Sequence, residues 1–199
     1  MPPAVATVAV SPKIRNRQGR TRQRILDESA RLFIAKGFEN VSVEDIIAAA
    51  EIARSSFYRF FSNRDQVLAS IIRPVFEQGI VALDAITSRS AQDVMDAVFD
   101  LYLDLWTSSP DSLRVSTRVG GVHFYLFEDV HLTFREKLAR TLKSVEPSGI
   151  FLNGSADLTG RLLARTAVPV LETYSQEKEF EKLFRSSMRG FLLLKETNR

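Results

Sequence analysis

Residues 25–68 read ILDESARLFIAKGFENVSVEDIIAAAEIARSSFYRFFSNRDQVL, and the apolar spacing within them decides the fold. A helical period takes over at Thr21. Ile25, Leu26, Ala30 and Phe33, with the later Phe38, form one apolar face, and Gly37 is a natural helix stop. Ser42 stands as an N-cap before Val43, with Asp45 three positions on, where a capping box places an acid. Val43, Ile46, Ile47 and Ala50 predict a short second helix, which Glu51-Ile52-Ala53 breaks. Arg54 to Phe61 predicts a third short helix whose Phe57 and Phe61 face inward at i, i+4. Ser62-Asn63 caps a fourth helix running from Arg64 toward Ile86, with a kink or break expected near Arg73 because Pro74 follows.

Two short helices joined by a three-residue turn form the helix-turn-helix unit, which places its second helix in the major groove. A reading helix needs large apolar anchors on one face and small, hydroxyl and cationic groups on the other. RSSFYRFF supplies both: Phe57 and Phe61 anchor, while Arg54, Ser55, Tyr58 and Arg59 point outward. Paired short helices also occur in ordinary cores, so this segment alone leaves both readings open.

The order and spacing of Ala-Arg-Leu-Phe, Lys-Gly-Phe, Ser-Val-x-Asp-Ile, Ser-x-Phe-Tyr and Phe-Ser-Asn-Arg-Asp resemble the DNA-binding domain of the tetracycline-repressor (TetR) family over about residues 21–70. The resemblance implies that Ser42 bonds a phosphate, that Arg54 and Ser55 approach base edges, and that Ser56 and Tyr58 bond phosphates. Arg59 would reach either, and Arg64 stands where the family usually has a phosphate-holding lysine. Three positions depart from the pattern. Glu51 replaces the usual turn glycine, so a positive φ there would be strained and its carboxylate would repel phosphate. Ala53 replaces a serine cap, and Phe60 stands in the place of a common histidine.

The charge is unevenly spread. Over 199 residues it is +3, but residues 1–64 carry eleven Lys/Arg against six Asp/Glu, while the remainder is slightly acidic. A basic end on an acidic body points to a polyanion. Residues 1–19, with three prolines and spaced cations, read as a disordered basic arm that either contacts DNA or is a solvated tail. Hydrophobic residues at 45% and charged at 26% fit a soluble globular chain. No apolar run approaches the roughly 20 residues of a membrane span, and MPPAVATVAV lacks the character of a signal peptide. With no cysteine there is no disulfide or thiolate site. A cytoplasmic protein without membrane partner, cofactor or metal is expected.

The rest of the chain also reads as helical, giving an all-α fold of about nine helices: an arm over 1–19, a three-helix DNA-binding domain over 20–65 and a helical domain over 66–199. Val94, Val98, Leu101, Tyr102 and Leu105 share one face. A long helix is expected from His123 to about Lys143, a loop over 146–157, and two last helices over about 158–175 and 178–196. The TetR resemblance implies a homodimer through these last helices, with Leu162, Leu163, Val170 and Leu171 on one and Phe180, Leu183, Phe184, Phe191 and Leu194 on the other. Intramolecular packing would explain the same stripes. The family's middle helices enclose an effector, for which Phe99, Leu103, Trp106, His123, Phe124, Phe127 and His131 are the candidate lining. The expected function is that of a regulator, most simply a repressor, that binds a pseudo-palindromic double-stranded DNA operator as a dimer and is released by a small apolar or aromatic effector. Two rivals remain: a ligand-independent DNA-binding dimer or activator, and a helical metal enzyme using His123, Glu128, Asp129 and His131.

Overall fold

The computed structural model describes residues 12–88, 90–119 and 121–194. Within them are nine α-helices and no strand: α1 (Pro12–Lys36), α2 (Val43–Ala49), α3 (Arg54–Phe60), α4 (Arg64–Asp84), α5 (Ala91–Ser108), α6 (Pro110–Arg118), α7 (Glu128–Val145), α8 (Ala156–Tyr174) and α9 (Phe180–Leu192). Short 3-10 turns occupy Phe38–Asn40, Gly121–Leu126 and Glu146–Ser148. The chain divides into two compact units at Leu68/Ala69, a boundary inside α4.

In the first unit α1, α2 and α3 enclose a small core of Ile25, Ala30, Phe33, Phe38, Val41, Ile46, Ala50, Phe57 and Phe61, to which α4 adds Val67 and Leu68. Phe33 and Phe38 meet edge to face across the stop at Gly37, whose φ of 79° suits glycine. The cap of α2 is complete: the Ser42 hydroxyl accepts from the Asp45 amide, and the Asp45 side chain accepts from the Ser42 amide. Hydrogen bonds from the Ser42 hydroxyl and amide hold the Asp45 carboxyl down at about 2.

The second unit is built around α5, which is buried along most of its length from Val94 to Trp106. It packs against α6, α7, α8 and α9. Four carboxylates at 3, 4, 4 spacing on α5 (Asp93, Asp96, Asp100, Asp104) read from sequence as a solvated stripe. Two of them are instead interhelical: Asp96 pairs with Arg189 and Asp100 with Arg185, tying α5 to α9. An isolated antiparallel bridge, with Leu152 N–H donating to Leu192 O and Leu194 N–H to Ile150 O, clips the chain end to the loop before α8.

Several expectations need correction. Residues 12–19 continue α1 as helix rather than forming a disordered arm; residues 1–11 lie outside the described residues. No second proline follows Pro12 within the helix, and proline at a first helical position costs nothing. α4 runs through Pro74 without a break. It is also the one described helix long and apolar enough by composition to cross a membrane, against the expectation of no apolar run of about 20 residues. The expected long helix from His123 is two elements, a 3-10 turn over Gly121–Leu126 and then α7, because Phe127 adopts a non-helical φ of −143°. His123 and Phe124 therefore lie off α7; Gly120 lies outside the described residues. α9 ends at Leu192, so Leu194 belongs to the extended clip and not to the helical stripe.

Gly79 on α4 faces α7 closely: a Cβ there would stand 2.6 Å from the Phe134 ring. Gly79→Ala should therefore lower stability. The overpacking cost of about 1–3 kcal/mol exceeds the roughly 1 kcal/mol that alanine returns in a helix. Urea denaturation checks this, and a stabilised variant would show that Phe134 yields freely.

Candidate nucleic-acid interface

α3 has seven residues, and its placement depends on two rings. Phe57 is fully buried and Phe61 nearly so, 6.0 Å apart between centroids. With that face anchored, Arg54, Ser55, Tyr58 and Arg59 are exposed, Tyr58 at 46% of its surface, and Ser56 is half-buried. Ser42, at the start of α2, is exposed as well. The unit thus carries six of its seven sequence-assigned DNA residues on accessible surface around one short helix.

Their charges are already engaged. The Arg54 guanidinium donates to Glu44 Oε1 at 2.7 Å and lies over the Tyr58 ring. Arg59 donates to the Ser56 hydroxyl at 3.1 Å and lies over Phe60. Glu44 was not singled out from sequence, since α2 and α3 positions ten residues apart meet only once the turn is folded. Phe60 occupies the place where a histidine would offer a donor, and here supplies a surface on which Arg59 rests.

The turn shows the strain its sequence implies. Glu51 is the only non-glycine with positive φ among the described residues, at 48°. Its carboxylate is ion-paired with Arg24 of α1, so it is not a bare negative charge beside the reading helix. Ala53 caps α3 without a side-chain bond. Arg22 lies 5.3 Å over the Phe61 ring, a second α1 cation held against this region.

Arg64 stands apart from the other six. Its Nη1 donates to the carbonyls of Phe38, Glu39 and Val41 at 3.0, 3.2 and 2.8 Å, and its guanidinium covers the Phe38 ring at 4.5 Å. The planar fork fastens the α1–α2 connection to the first turn of α4, a task for which a lysine's point charge is poorly shaped. Asn63 accepts from the Gln66 amide and Gln66 accepts from the Ser62 amide, completing the cap of α4.

The candidate effector residues fall into separate groups in the second unit. Phe124, Phe127 and His131 come together, joined by Phe76 and Phe134: Phe76 stacks on Phe127 at 6.0 Å, and the His131 ring stands edge-on to Phe76 and Phe124 at 5.0 and 4.9 Å. Burial and the nearby Arg135 push the His131 pKa down, and its Nδ1 is buried without a hydrogen-bond partner. Phe99 packs on Phe184, Trp106 lies under the Arg114 guanidinium at 4.6 Å, and Leu103 is core. The residues proposed for a metal do not converge. Asp129 makes a two-pronged pair with Arg73 at 2.7 and 2.8 Å, and no group of three or more potential ligands stands together among the described residues.

On α8 and α9 the sequence-assigned interface residues divide. Leu163, Leu171 and Phe184 are fully buried in their own unit, where the Leu163/Ala167/Leu171 and Phe184/Met188/Leu192 lines join the core cluster that also holds α5, with Phe184 against Phe99. Leu162, Val170, Phe180 and Leu183 are half-buried, whereas Phe191 and Leu194 are exposed at 46% and 52%, as is Leu158 at 43%.

Glu51→Gly is expected to raise the stability of the first unit, since relief of about 1–2 kcal/mol of backbone strain outweighs an exposed ion pair worth about 0–1 kcal/mol. Glu51→Gln, which keeps the strain, should not. Thermal melting of the two variants side by side separates strain from charge, and equal behaviour would assign the effect to charge alone.

Residues 25–71 match the family model described as bacterial regulatory proteins, tetR family. Among curated proteins, the chain is 31% identical over 83 residues to the HTH-type transcriptional regulator TcmR of Streptomyces glaucescens, covering 41% of this chain and 37% of that protein. It is 28% identical over 96 residues to the HTH-type transcriptional regulator EthR of Mycolicibacterium smegmatis, covering 47% and 44%. The chain thus spans less than half the length of these relatives. Among solved structures, a tetR-family regulatory protein from Rhodococcus superposes with a TM-score of 0.69 at 15% identity, covering 85% of this chain and 93% of that one. The ketosteroid transcriptional regulator KstR2 of Mycobacterium tuberculosis superposes at 0.67 and 16%, covering 87% and 95%. At such identities the structures establish the all-helical fold, while the sequence kinship with tetR-family regulators lies in the N-terminal unit, over residues 25–71.

Proposed function

We propose that this protein is a cytoplasmic, ligand-responsive repressor that binds a pseudo-palindromic operator as a homodimer. The observation that carries the reading is the outer face of α3, where Arg54, Ser55, Tyr58 and Arg59 are presented on two buried phenylalanines. Arg54 is the base-reading cation, since an arginine fork matches the guanine edge in the major groove. Ser42, Ser56 and Tyr58 bind phosphates and fix register, and Arg59 serves either role. Arg64 holds the domain together and contacts DNA only secondarily.

A single reading helix touches few bases, and a two-fold dimer doubles the site. Leu158, Leu162, Leu183 and Phe191 on the outward sides of α8 and α9 are the interface residues, with Val170, Phe180 and Leu194 at its margin. The effector site is the aromatic group Phe76, Phe124, Phe127 and Phe134 around His131. Its rings suit an apolar or aromatic molecule, and the unpartnered His131 Nδ1 suits a polar group on that molecule. An effector that prefers the DNA-incompetent form by about 1–3 kcal/mol weakens operator binding some 5–150-fold.

Genomic-fragment selection followed by gel shift tests the reading. A short inverted repeat should be recovered, and Arg54→Ala should weaken its binding by about tenfold or more, because a two-pronged bond to a base edge is worth about 1–3 kcal/mol. Recovery of no preferred sequence would remove the regulator reading. In sedimentation the protein should run at twice the 22.4 kDa chain mass at micromolar concentration, and Phe191→Glu should yield monomer. A monomeric parent protein would refute the dimer.

A further inference from the structure

The half of α1 that precedes its core-facing residues carries Arg15, Arg17, Arg20, Arg22 and Arg24, and no carboxylate occurs from Pro12 to Leu26. Its first turn holds no acid. For a helix this is an unfavourable beginning. Cations sit toward the positive end of the dipole, and Arg17/Arg20 and Arg20/Arg24 set like charges at spacings of three and four. A helical segment with that charge pattern is suited to a polyanion that neutralises it.

The register and the neighbours say where the polyanion lies. At about 100° per residue, Arg17, Arg20 and Arg24 fall within about 60° of one another, opposite the buried Leu26 and Phe33. Arg24, at the inner end of this stripe, is paired with Glu51 in the turn that leads into α3. Arg22, on the other side of the helix, is held over Phe61 just beyond α3. The stripe is therefore fastened beside the reading helix at one end. Arg17 and Arg20 lie further out, exposed and without an ion pair among the described residues, about 6–10 Å along the axis from Arg24.

We infer that the helical Arg17–Arg20 stripe is a second DNA contact, which binds duplex phosphates outside the bases read by α3. It acts as a preformed helical edge, not as a flexible arm, and it is indifferent to sequence. The inference rests on the DNA-binding function proposed above, and it makes a separate demand: phosphate contacts steepen the salt dependence of binding without changing which sequence is preferred.

The test uses the full chain with two double variants, Arg17→Gln/Arg20→Gln and Arg17→Lys/Arg20→Lys. Affinity is measured from about 50 to 200 mM salt on the selected operator and on a duplex of unrelated sequence. The glutamine variant should flatten the log–log slope on both duplexes by about 1.8 per protomer, about 3.6 for the dimer, at roughly 0.9 for each phosphate that the protein no longer neutralises. The lysine variant should keep the parent slope. The ratio of operator to unrelated affinity should stay constant, and the thermal midpoint of the glutamine variant should be no lower than the parent's, because like charges have been removed. An unchanged slope in the glutamine variant overturns the inference, as does an equal flattening in the lysine variant. Binding of the parent to phosphatidylserine vesicles that disappears in the glutamine variant, with the DNA slope intact, would reassign the stripe to membranes and overturn it too. Failure to select any operator would sink the regulator reading alone, since the unrelated duplex still reports on Arg17 and Arg20.

Discussion

A helix of seven residues cannot hold itself together in water, because nucleation costs more than so few hydrogen bonds return. α3 exists only because Phe57 and Phe61 are sunk in the core made by α1, α2 and the first turn of α4. Every outward group on the reading face takes its position from that burial. The capping arrangement shows the same dependence: α2 has a complete cap at Ser42 and Asp45, whereas α3 begins at Ala53 with none and leans entirely on packing. The guanidinium of Arg64, shared among three carbonyls, keeps the entry to α2 from moving independently of α4.

The second unit solves a different problem. α5 is apolar nearly all round and must be enclosed, and α6 to α9 supply the enclosure. Where its carboxylates emerge, α9 answers with Arg185 and Arg189, so the two helices are joined by charge as well as by Phe99 against Phe184. The aromatic group around His131 lies between α4, α7 and the 3-10 turn at Gly121–Leu126. Burial and the nearby Arg135 shift its imidazole toward the neutral form.

Much of the first unit was legible because its signals are local. The stop at Gly37, the Ser42/Asp45 cap and the Phe57/Phe61 pair are each fixed by residues a few positions apart, and the strain at Glu51 followed from a missing glycine. What escaped were contacts between distant positions. Arg24 with Glu51, Arg54 with Glu44 and Arg64 with Phe38 are separated by 27, 10 and 26 residues, and no periodicity announces them. In the second unit, apolar spacing located α5, α8 and α9, but spacing cannot say which of two adjacent apolar lines faces inward. Leu163, Leu171 and Phe184 were therefore grouped with Leu162, Leu183 and Phe191. The extended φ at Phe127, which divides one expected helix into two elements, has no signal in residue type.

Two cations of the proposed reading head are balanced from the inside. Arg54 rests on Glu44 and Arg24 on Glu51, so each of these two holds an internal carboxylate before any DNA arrives, whereas Arg59 bonds the Ser56 hydroxyl. On a random stretch of duplex, a phosphate must outcompete that partner, and the exchange gains little. At a matching guanine the fork gains two directed bonds and the exchange becomes worthwhile. In the function proposed above, such a head grips wrong sequences weakly and leaves them quickly, which shortens the time spent on each of the many competing sites in a genome and speeds the search for the right one.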